Sequence, residues 1–204
     1  MSNQDRAAKQ RADMLQQYVS DMIAVENQIA EAVKRQAGDE HVATHTPAAG
    51  RIIQNISQLA QQHEQHLQDH LKSLGGDPAK GIKEAATQIM GALAGIYDKL
   101  RTESVSKMLR DDYTALNLAA VSYTMLHTTG LALQDQATAD LALRHLRAYA
   151  EIIIEINRII PRVVVEDLRD DLEGVEAASA QRAIENTQQA WQPSTPRHST
   201  FGTS

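Results

Sequence analysis

The chain of 204 residues contains no cysteine, so disulfide bonds, thiolate metal sites and cysteine nucleophiles are excluded. Aromatic residues are also scarce, at 3% of the sequence, although hydrophobic residues as a whole reach 42%. The apolar residues are therefore mainly Ala, Leu, Ile, Val and Met, which fill the interior of helical bundles well. This composition predicts a packed, helix-rich protein rather than a disordered chain.

The chain has fewer positively charged residues than negatively charged ones. The chain carries 20 Lys and Arg residues against 26 Asp and Glu residues, which gives a net charge of −6. Proteins that bind the phosphates of nucleic acids usually carry an excess of positive charge. We therefore expect no nucleic-acid partner.

No apolar run in the sequence is long enough to span a membrane. The first residues, MSNQDRAAKQRADMLQQ, are polar and lack the apolar core of a secretory signal. We therefore expect a cytoplasmic protein that has no membrane partner.

Four stretches show the apolar periodicity of long α-helices, and no stretch favours a strand. The pattern predicts helices at about residues 4–35, 47–74, 103–131 and from about 138 onward. Thr46 and Thr102 are candidate caps of the second and third helices. The segment QAGDEHVATHTPAAG, which follows the first helix, is predicted as a loop. Pro161 is expected to kink or end the fourth helix, because proline removes a backbone donor and clashes with the preceding turn.

A shorter amphipathic stretch, residues 82–100, lies between the second and third long helices and is predicted to be a helix of its own. The segment from residue 75 to about 100 is long enough to return the chain to the other end of a bundle. The sequence therefore predicts an all-α fold, a four-helix bundle with one long crossover between helices two and three. We assign residues 1–173 to this bundle and residues 174–204 to a weakly helical segment and a disordered polar tail.

Glu26 interrupts the apolar stripe of the first helix. A glutamate at the edge of such a stripe can reach solvent with its long side chain. An inward glutamate is instead typical of a metal ligand in a bundle, because an unpaired buried carboxylate is unfavourable.

Histidines interrupt the apolar stripes of the later helices. The segment QQHEQHLQDH, residues 61–70, places His63, His66 and His70 along one helix face, and imidazoles at this spacing can chelate a divalent ion. Since the face also carries Gln and Asp, a solvated surface is the alternative. His127 and His145 lie on apolar faces, where a histidine is a satisfied core residue, an edge residue or a ligand. Two axial histidines can hold haem, but nothing in the sequence specifies it.

Several segments resemble bacterial ferritin-like stress proteins of the YciF type. The run SDMIAVENQIAEAV is similar to the first helix of that family, which carries its first metal glutamate. The likeness continues through the SLGG stop after the second helix, the crossover segment GIKEAATQIMGALAGIYDKL and the Ser-Tyr pair in AAVSYTML. It covers roughly residues 12–168 and includes the order of the elements.

The resemblance implies a ferritin-like bundle in which two helices each supply a glutamate and the other two each supply Glu-x-x-His to a dinuclear metal centre. It makes Glu26 the glutamate of the first helix. Ala119 and Ala148 stand where the third and fourth helices of the family carry glutamate, and His145 lies one turn before Ala148. The expected centre is therefore eroded, with Glu26 facing histidines of the second helix and alanines opposite.

One carboxylate does not offset the four positive charges of two divalent ions. We therefore expect at most one divalent metal ion, with zinc favoured over iron because the candidate set is rich in imidazoles. The candidate metal ligands are Glu26, His63, His66 and His145. On this hypothesis Glu26→Ala weakens metal binding and stabilises the metal-free protein or leaves it nearly unchanged.

The functional expectation follows from the eroded centre. We expect a structural or interaction protein, stress-related by the resemblance and without enzymatic activity. The alternative is a metal-dependent oxidoreductase or an iron-handling protein with a remodelled His/Glu site. A homodimer is expected, because two-fold dimers are the commonest oligomers.

Overall fold

The computed structural model describes residues 2–79, 97 and 104–191. These residues form helices, and none of them lies in a strand, so the predicted all-α bundle is confirmed. The helices are α1 Asn3–Ala37, α2 Glu40–His45, α3 Pro47–Ser73, α4 Val105–Ala132, α5 Gln136–Asp171 and α6 Ser179–Trp191. None of the described helices has an apolar stretch that would reach across a bilayer. The predicted helix at residues 82–100 and the predicted tail from residue 192 fall outside the described residues.

The structure corrects the prediction at three places. The segment after α1 is not wholly a loop, because Glu40–His45 forms the short helix α2. The residue that caps α4 is Ser104 rather than Thr102. Of the two outcomes expected at Pro161, an end of the helix is wrong, because α5 continues to Asp171. Val163, just after the proline, is 1% exposed, so its packing against the core offsets the hydrogen bond that the proline lacks.

The helices α1 and α3 form an antiparallel pair, which we call the first hairpin. The side-chain Nε2 of Gln16, near the start of α1, donates to the carbonyl oxygen of Leu74 at 2.7 Å, just beyond the end of α3. As expected, Thr46 is the N-cap residue of α3 and Pro47 is its first residue. Gly75 has φ +79°, a conformation that glycine adopts without strain, and lies just beyond the last residue of α3.

The helices α4 and α5 form a second antiparallel hairpin through a turn of three residues. The carboxylate of Asp135 caps α5 by accepting from the backbone N–H of Thr138 at 2.8 Å. The two helices approach closely at Gly130, where an added Cβ would lie 2.7 Å from the backbone nitrogen of Ala139. Only glycine allows this separation, so Gly130 fixes how closely the hairpin packs.

The two hairpins pack face to face around an aliphatic core. Near the end of α3, His70 Nε2 lies 2.7 Å from Thr138 Oγ1 at the start of α5, so α3 and α5 are antiparallel. On the other side of the core, Glu26 of α1 contacts Tyr123 of α4. The largest fully buried aliphatic side chains come from α1, α3 and α4: Ile23, Ile29, Ile52, Ile53, Ile56, Leu67, Leu71, Leu109 and Leu116.

A carboxylate of α5 caps the start of α4. Asp167 accepts hydrogen bonds from Ser104 Oγ at 2.6 Å and from the backbone N–H groups of Val105 and Ser106 at 3.2 and 2.9 Å. Desolvation by burial acts to raise the pKa of Asp167, but these hydrogen bonds outweigh it and hold the pKa below its ordinary 3.8. The carboxylate of Asp167, at the N-terminus of α4, therefore fixes the end of the second hairpin that lies away from its turn.

Candidate functional site

Glu26 lies in the centre of the bundle and is fully buried. Its Oε1 lies 3.2 Å from Nδ1 of His63 on α3 and also accepts a hydrogen bond from the hydroxyl of Tyr123 on α4. Its Oε2 accepts a hydrogen bond from the hydroxyl of Tyr149 on α5. A single carboxylate therefore connects all four long helices.

The histidines of the predicted site continue this network toward the surface. The imidazole rings of His63 and His145 stack, with centroids 3.8 Å apart and planes inclined by 10°. His145 Nδ1 lies 3.0 Å from the hydroxyl oxygen of Tyr123, and its Nε2 lies 3.3 Å from Nδ1 of His66. His63 and His145 are buried, whereas His66 is exposed. The structure thus brings together all four residues of the predicted set.

With Glu26 as a carboxylate, one arrangement of protons satisfies all of these contacts. Because a carboxylate oxygen accepts, the N–H of His63 is at Nδ1, and the hydroxyls of Tyr123 and Tyr149 both donate to Glu26. Since the only proton of Tyr123 points at Glu26, its oxygen accepts from Nδ1–H of His145. The bare Nε2 of His145 then accepts from Nδ1–H of His66. Every hydrogen bond in this network therefore points toward Glu26.

Burial fixes the ionisation of three of these groups. Desolvation, together with the adjacent Glu26, raises the pKa values of Tyr123 and Tyr149 well above 10, so both phenols keep the protons that they donate. Desolvation, reinforced by the neighbouring His63 and His66, lowers the pKa of His145 from 6.5 to about 2. His145 is therefore neutral at physiological pH, as its bare Nε2 requires.

The two tyrosines are site residues that the sequence analysis did not assign. The expectation placed Ala119 and Ala148 opposite Glu26, but the groups that contact the carboxylate from α4 and α5 are Tyr123 and Tyr149. Ala119 lies one turn before Tyr123 and Ala148 immediately precedes Tyr149. The available signal was the position of both tyrosines on apolar stripes, because a buried phenol requires a hydrogen-bond partner.

The remaining histidine of the stripe and His127 have structural partners. His70 contacts the hydroxyl of Thr138, and His127 Nδ1 donates to the backbone carbonyl of Ala139 at 2.8 Å. Both contacts join a helix to the start of α5, and His127, which is half-buried, makes a structural hydrogen bond at the edge of the core.

The donor set does not fit a dinuclear centre. Glu26 is the one carboxylate in the network, and both of its oxygens already accept hydrogen bonds from side chains. Within the described ranges, no three His, Asp or Glu side chains are arranged so that they could hold a metal ion. A single ion would require Glu26, His63 and His145 to turn their donor atoms from one another toward a common point.

A second buried polar cluster lies nearer the end of the bundle where α1 finishes. Asp112 of α4 is fully buried and its Oδ1 accepts from the hydroxyl of Tyr97 at 3.2 Å. Its Oδ2 and the Oε1 of Gln36 are buried acceptors for which the described part of the chain provides no hydrogen bond. Burial raises the pKa of Asp112 from 3.8 to about 7, although hydrogen bonds from Gln36 and Tyr97 partly offset this rise.

Comparison of the chain with models of protein families, with curated proteins and with solved structures finds no match.

Proposed function

We propose that this protein is a ferritin-like helical bundle in which a hydrogen-bonded polar core stands in place of a dinuclear metal centre. Its role is structural or interactive, and stress-related if the family resemblance of the sequence holds. The observation that carries the proposal is that Glu26 accepts from groups on α3, α4 and α5. Hydrogen-bond donors thus hold the four helices together at the position where the resemblance would place metal ions.

The directions of the helices support the ferritin-like interpretation. The helices α3 and α4 are both antiparallel to α1, since Glu26 contacts both His63 and Tyr123 while Gln16 contacts Leu74 and Gln36 contacts Asp112. They are therefore parallel to each other. The end of α3 and the start of α4 therefore lie at opposite ends of the bundle, separated by about 42 Å, the length of a 28-residue helix. A long crossover between helices two and three has this property.

The chemistry of the core supports a role without a catalytic metal. A buried polar network in which every donor has an acceptor can specify one arrangement of the helices, as buried polar groups do in some helical assemblies. In the described contacts, each donor that faces Glu26 is matched by a carboxylate oxygen. The core therefore needs no ion to neutralise its hydrogen-bonding groups.

Elemental analysis of protein purified without chelator tests the proposal. We expect well under one equivalent of zinc or iron per chain, and a melting temperature that a chelator does not change. Tyr149→Phe, which leaves one oxygen of Glu26 without its donor, should lower the free energy of unfolding by about 1–3 kcal/mol. Tyr18→Phe, at a half-buried position on α1, is the matched control and should change it little.

The alternative function is a metal-dependent oxidoreductase or an iron-handling protein. The observation in its favour is that the ring of His145 contacts the rings of both His63 and His66, and that His63 contacts Glu26. One zinc or iron ion per chain, lost in His145→Ala, would favour this alternative, and two irons with turnover of oxygen or peroxide would overturn the main proposal. The homodimer and the cytoplasmic location stay predictions.

A further inference from the structure

Two buried oxygen atoms near the end of α1 have no hydrogen-bond donor in the described part of the chain. One is Oδ2 of Asp112 on α4, and the other is Oε1 of Gln36, the last residue but one of α1. Asp112 is 0% exposed and Gln36 is 5% exposed, so bulk water does not solvate these atoms. Buried oxygen atoms of side chains usually accept a hydrogen bond. The two residues therefore need a component that the described side chains do not supply.

The other carboxyl oxygen of Asp112 already has donors. Its Oδ1 accepts from the hydroxyl of Tyr97 at 3.2 Å, and the side-chain amide of Gln36 also donates to the carboxyl group. Because Oδ2 has no donor, the amide N–H of Gln36 is directed at Oδ1. The amide and the carboxyl group therefore contact each other, and the unpaired oxygen of each belongs to the same contact.

Both unpaired atoms are acceptors, so the missing component is a donor or a cation. Hard metal cations take about six oxygen ligands, and the described residues offer only two unpaired oxygens here. A water molecule can donate to both atoms, but it would leave the negative charge of Asp112 buried without a cation to neutralise it. A proton on Oδ2 donates to Oε1 of Gln36 and removes the charge at the same time. The proton is therefore the smallest addition that satisfies both oxygens.

The groups that face Asp112 favour its neutral form. Burial raises the pKa of Asp112 to about 7, and the negative charge of Asp111, which pairs with Arg110, acts in the same direction. Tyr97 remains protonated, since burial raises its pKa well above 10. The helix α1 contributes the uncharged amide of Gln36, and no charged group among the described residues of α3 and α5 acts on Asp112.

We propose that Asp112 binds a proton in the folded protein and donates it to Oε1 of Gln36, so that the acid and the amide form a ring of two hydrogen bonds. This ring, which we call the latch, ties α4 to the end of α1. Release of the proton to solvent breaks one of the two hydrogen bonds and leaves two acceptor oxygens in contact. The latch is therefore closed when Asp112 is protonated and open when it is ionised.

The latch controls the segment that follows α1. The backbone carbonyl of Gln36 accepts from the N–H of Asp39 at 3.0 Å, and α2 begins at the next residue, Glu40. Loss of the side-chain anchor of Gln36 should therefore loosen the last turn of α1 together with α2. The latch shares no residue with the network around Glu26, so it goes beyond the proposed function and does not depend on it.

Infrared spectroscopy tests whether the proton is present. Exposed carboxyl groups are ionised at about pH 6, so the carbonyl band of a protonated carboxyl group then reports buried acids. The difference spectrum between the wild type and Asp112→Asn should contain such a band at about pH 6 and lose it as the pH rises above about 7. In Gln36→Leu the band should move to higher frequency, because the carboxyl group loses its partner. No band at about pH 6, or an unmoved band in Gln36→Leu, would overturn the proposal.

Hydrogen exchange tests whether the proton closes the latch. The protection factors of the amides in residues 33–45, which are corrected for the intrinsic effect of pH, should fall about tenfold in the wild type between about pH 6 and about pH 8. In Asp112→Asn an amide takes the place of the acid at every pH, so these protection factors should stay nearly constant. Asp13→Asn, at an exposed position on α1, is the matched control and should behave as the wild type. Constant protection in the wild type, or an equal fall in Asp112→Asn, would show that Asp112 does not act as a latch.

Discussion

Asp112→Asn should stabilise the protein, by an amount that grows with pH. The carboxyl of Asp112 is fully buried, has no adjacent cation among the described residues, and has a pKa raised from 3.8 to about 7. A group whose pKa is higher in the folded state binds its proton more tightly there, so its contribution to stability is complete below pH 3.8 and is lost as the pH rises through about 7.

The magnitude follows from the shift of the pKa from 3.8 to about 7, which corresponds to about 4 kcal/mol in the free energy of unfolding. Asparagine has the same shape, carries no charge, and keeps an oxygen that can accept from Tyr97. In the wild type with Asp112 ionised, Oδ2 of Asp112 and Oε1 of Gln36 are both unpaired acceptors. The amide N–H₂ of asparagine replaces one of them with a donor, which can satisfy the other. We expect the advantage of the variant over the wild type to grow by about 3 kcal/mol between pH 5 and pH 8.

Urea unfolding at several pH values, followed by circular dichroism, measures this difference. Asp13→Asn is the control, because Asp13 is exposed on α1 and its replacement should change stability little at any pH. If the Asp112→Asn advantage is the same at pH 5 and pH 8, Asp112 does not titrate in this interval and the reasoning from its burial is refuted.

Three further substitutions test the other buried polar groups. Glu26→Ala leaves three donors without an acceptor and should lower the free energy of unfolding by at least about 3 kcal/mol. A melting temperature no lower than that of the wild type would contradict this. The pKa of His145 is lower in the folded state, so the stability that its neutral form contributes is present above pH 6.5 and is lost as the pH falls. This one group should lower the free energy of unfolding by about 2 kcal/mol between pH 7 and pH 5. In His145→Gln the free energy of unfolding should fall less steeply over the same pH range. Asp167→Asn weakens the cap of α4 and should lower stability by about 1–2 kcal/mol in urea unfolding, whereas the exposed Asp171→Asn should have no measurable effect.

The long helices were predictable because their buried residues recur at helical spacing over many turns. The helix α2 was missed since its six residues are too few to show a period. The N-cap of α4 was misassigned for a different reason. Its N-terminus is held by Asp167, which lies 63 residues from Ser104 in the sequence, and no local pattern reveals a cap supplied by another helix.

The candidate site was predictable where a polar residue interrupts an apolar stripe, as Glu26 and His63 do. Tyr123 and Tyr149 gave no such interruption, because a tyrosine contributes an apolar ring to the same stripe. The two tyrosines also change a prediction. With alanines opposite Glu26, the sequence predicts that Glu26→Ala stabilises the metal-free protein or leaves it nearly unchanged. The hydrogen bonds of the two phenols lead us to expect the opposite.

The network around Glu26 has a consequence for the kinetics of folding. Its contacts join residues that are 37, 97 and 123 positions apart, whereas the second hairpin is closed by a turn of three residues. Contacts between residues close in sequence form sooner, so the network is completed only after the two hairpins have docked. Bonds that form after the transition state slow unfolding without speeding folding. Tyr149→Phe should therefore shorten the lifetime of the native state while the chain reaches that state at nearly the same rate.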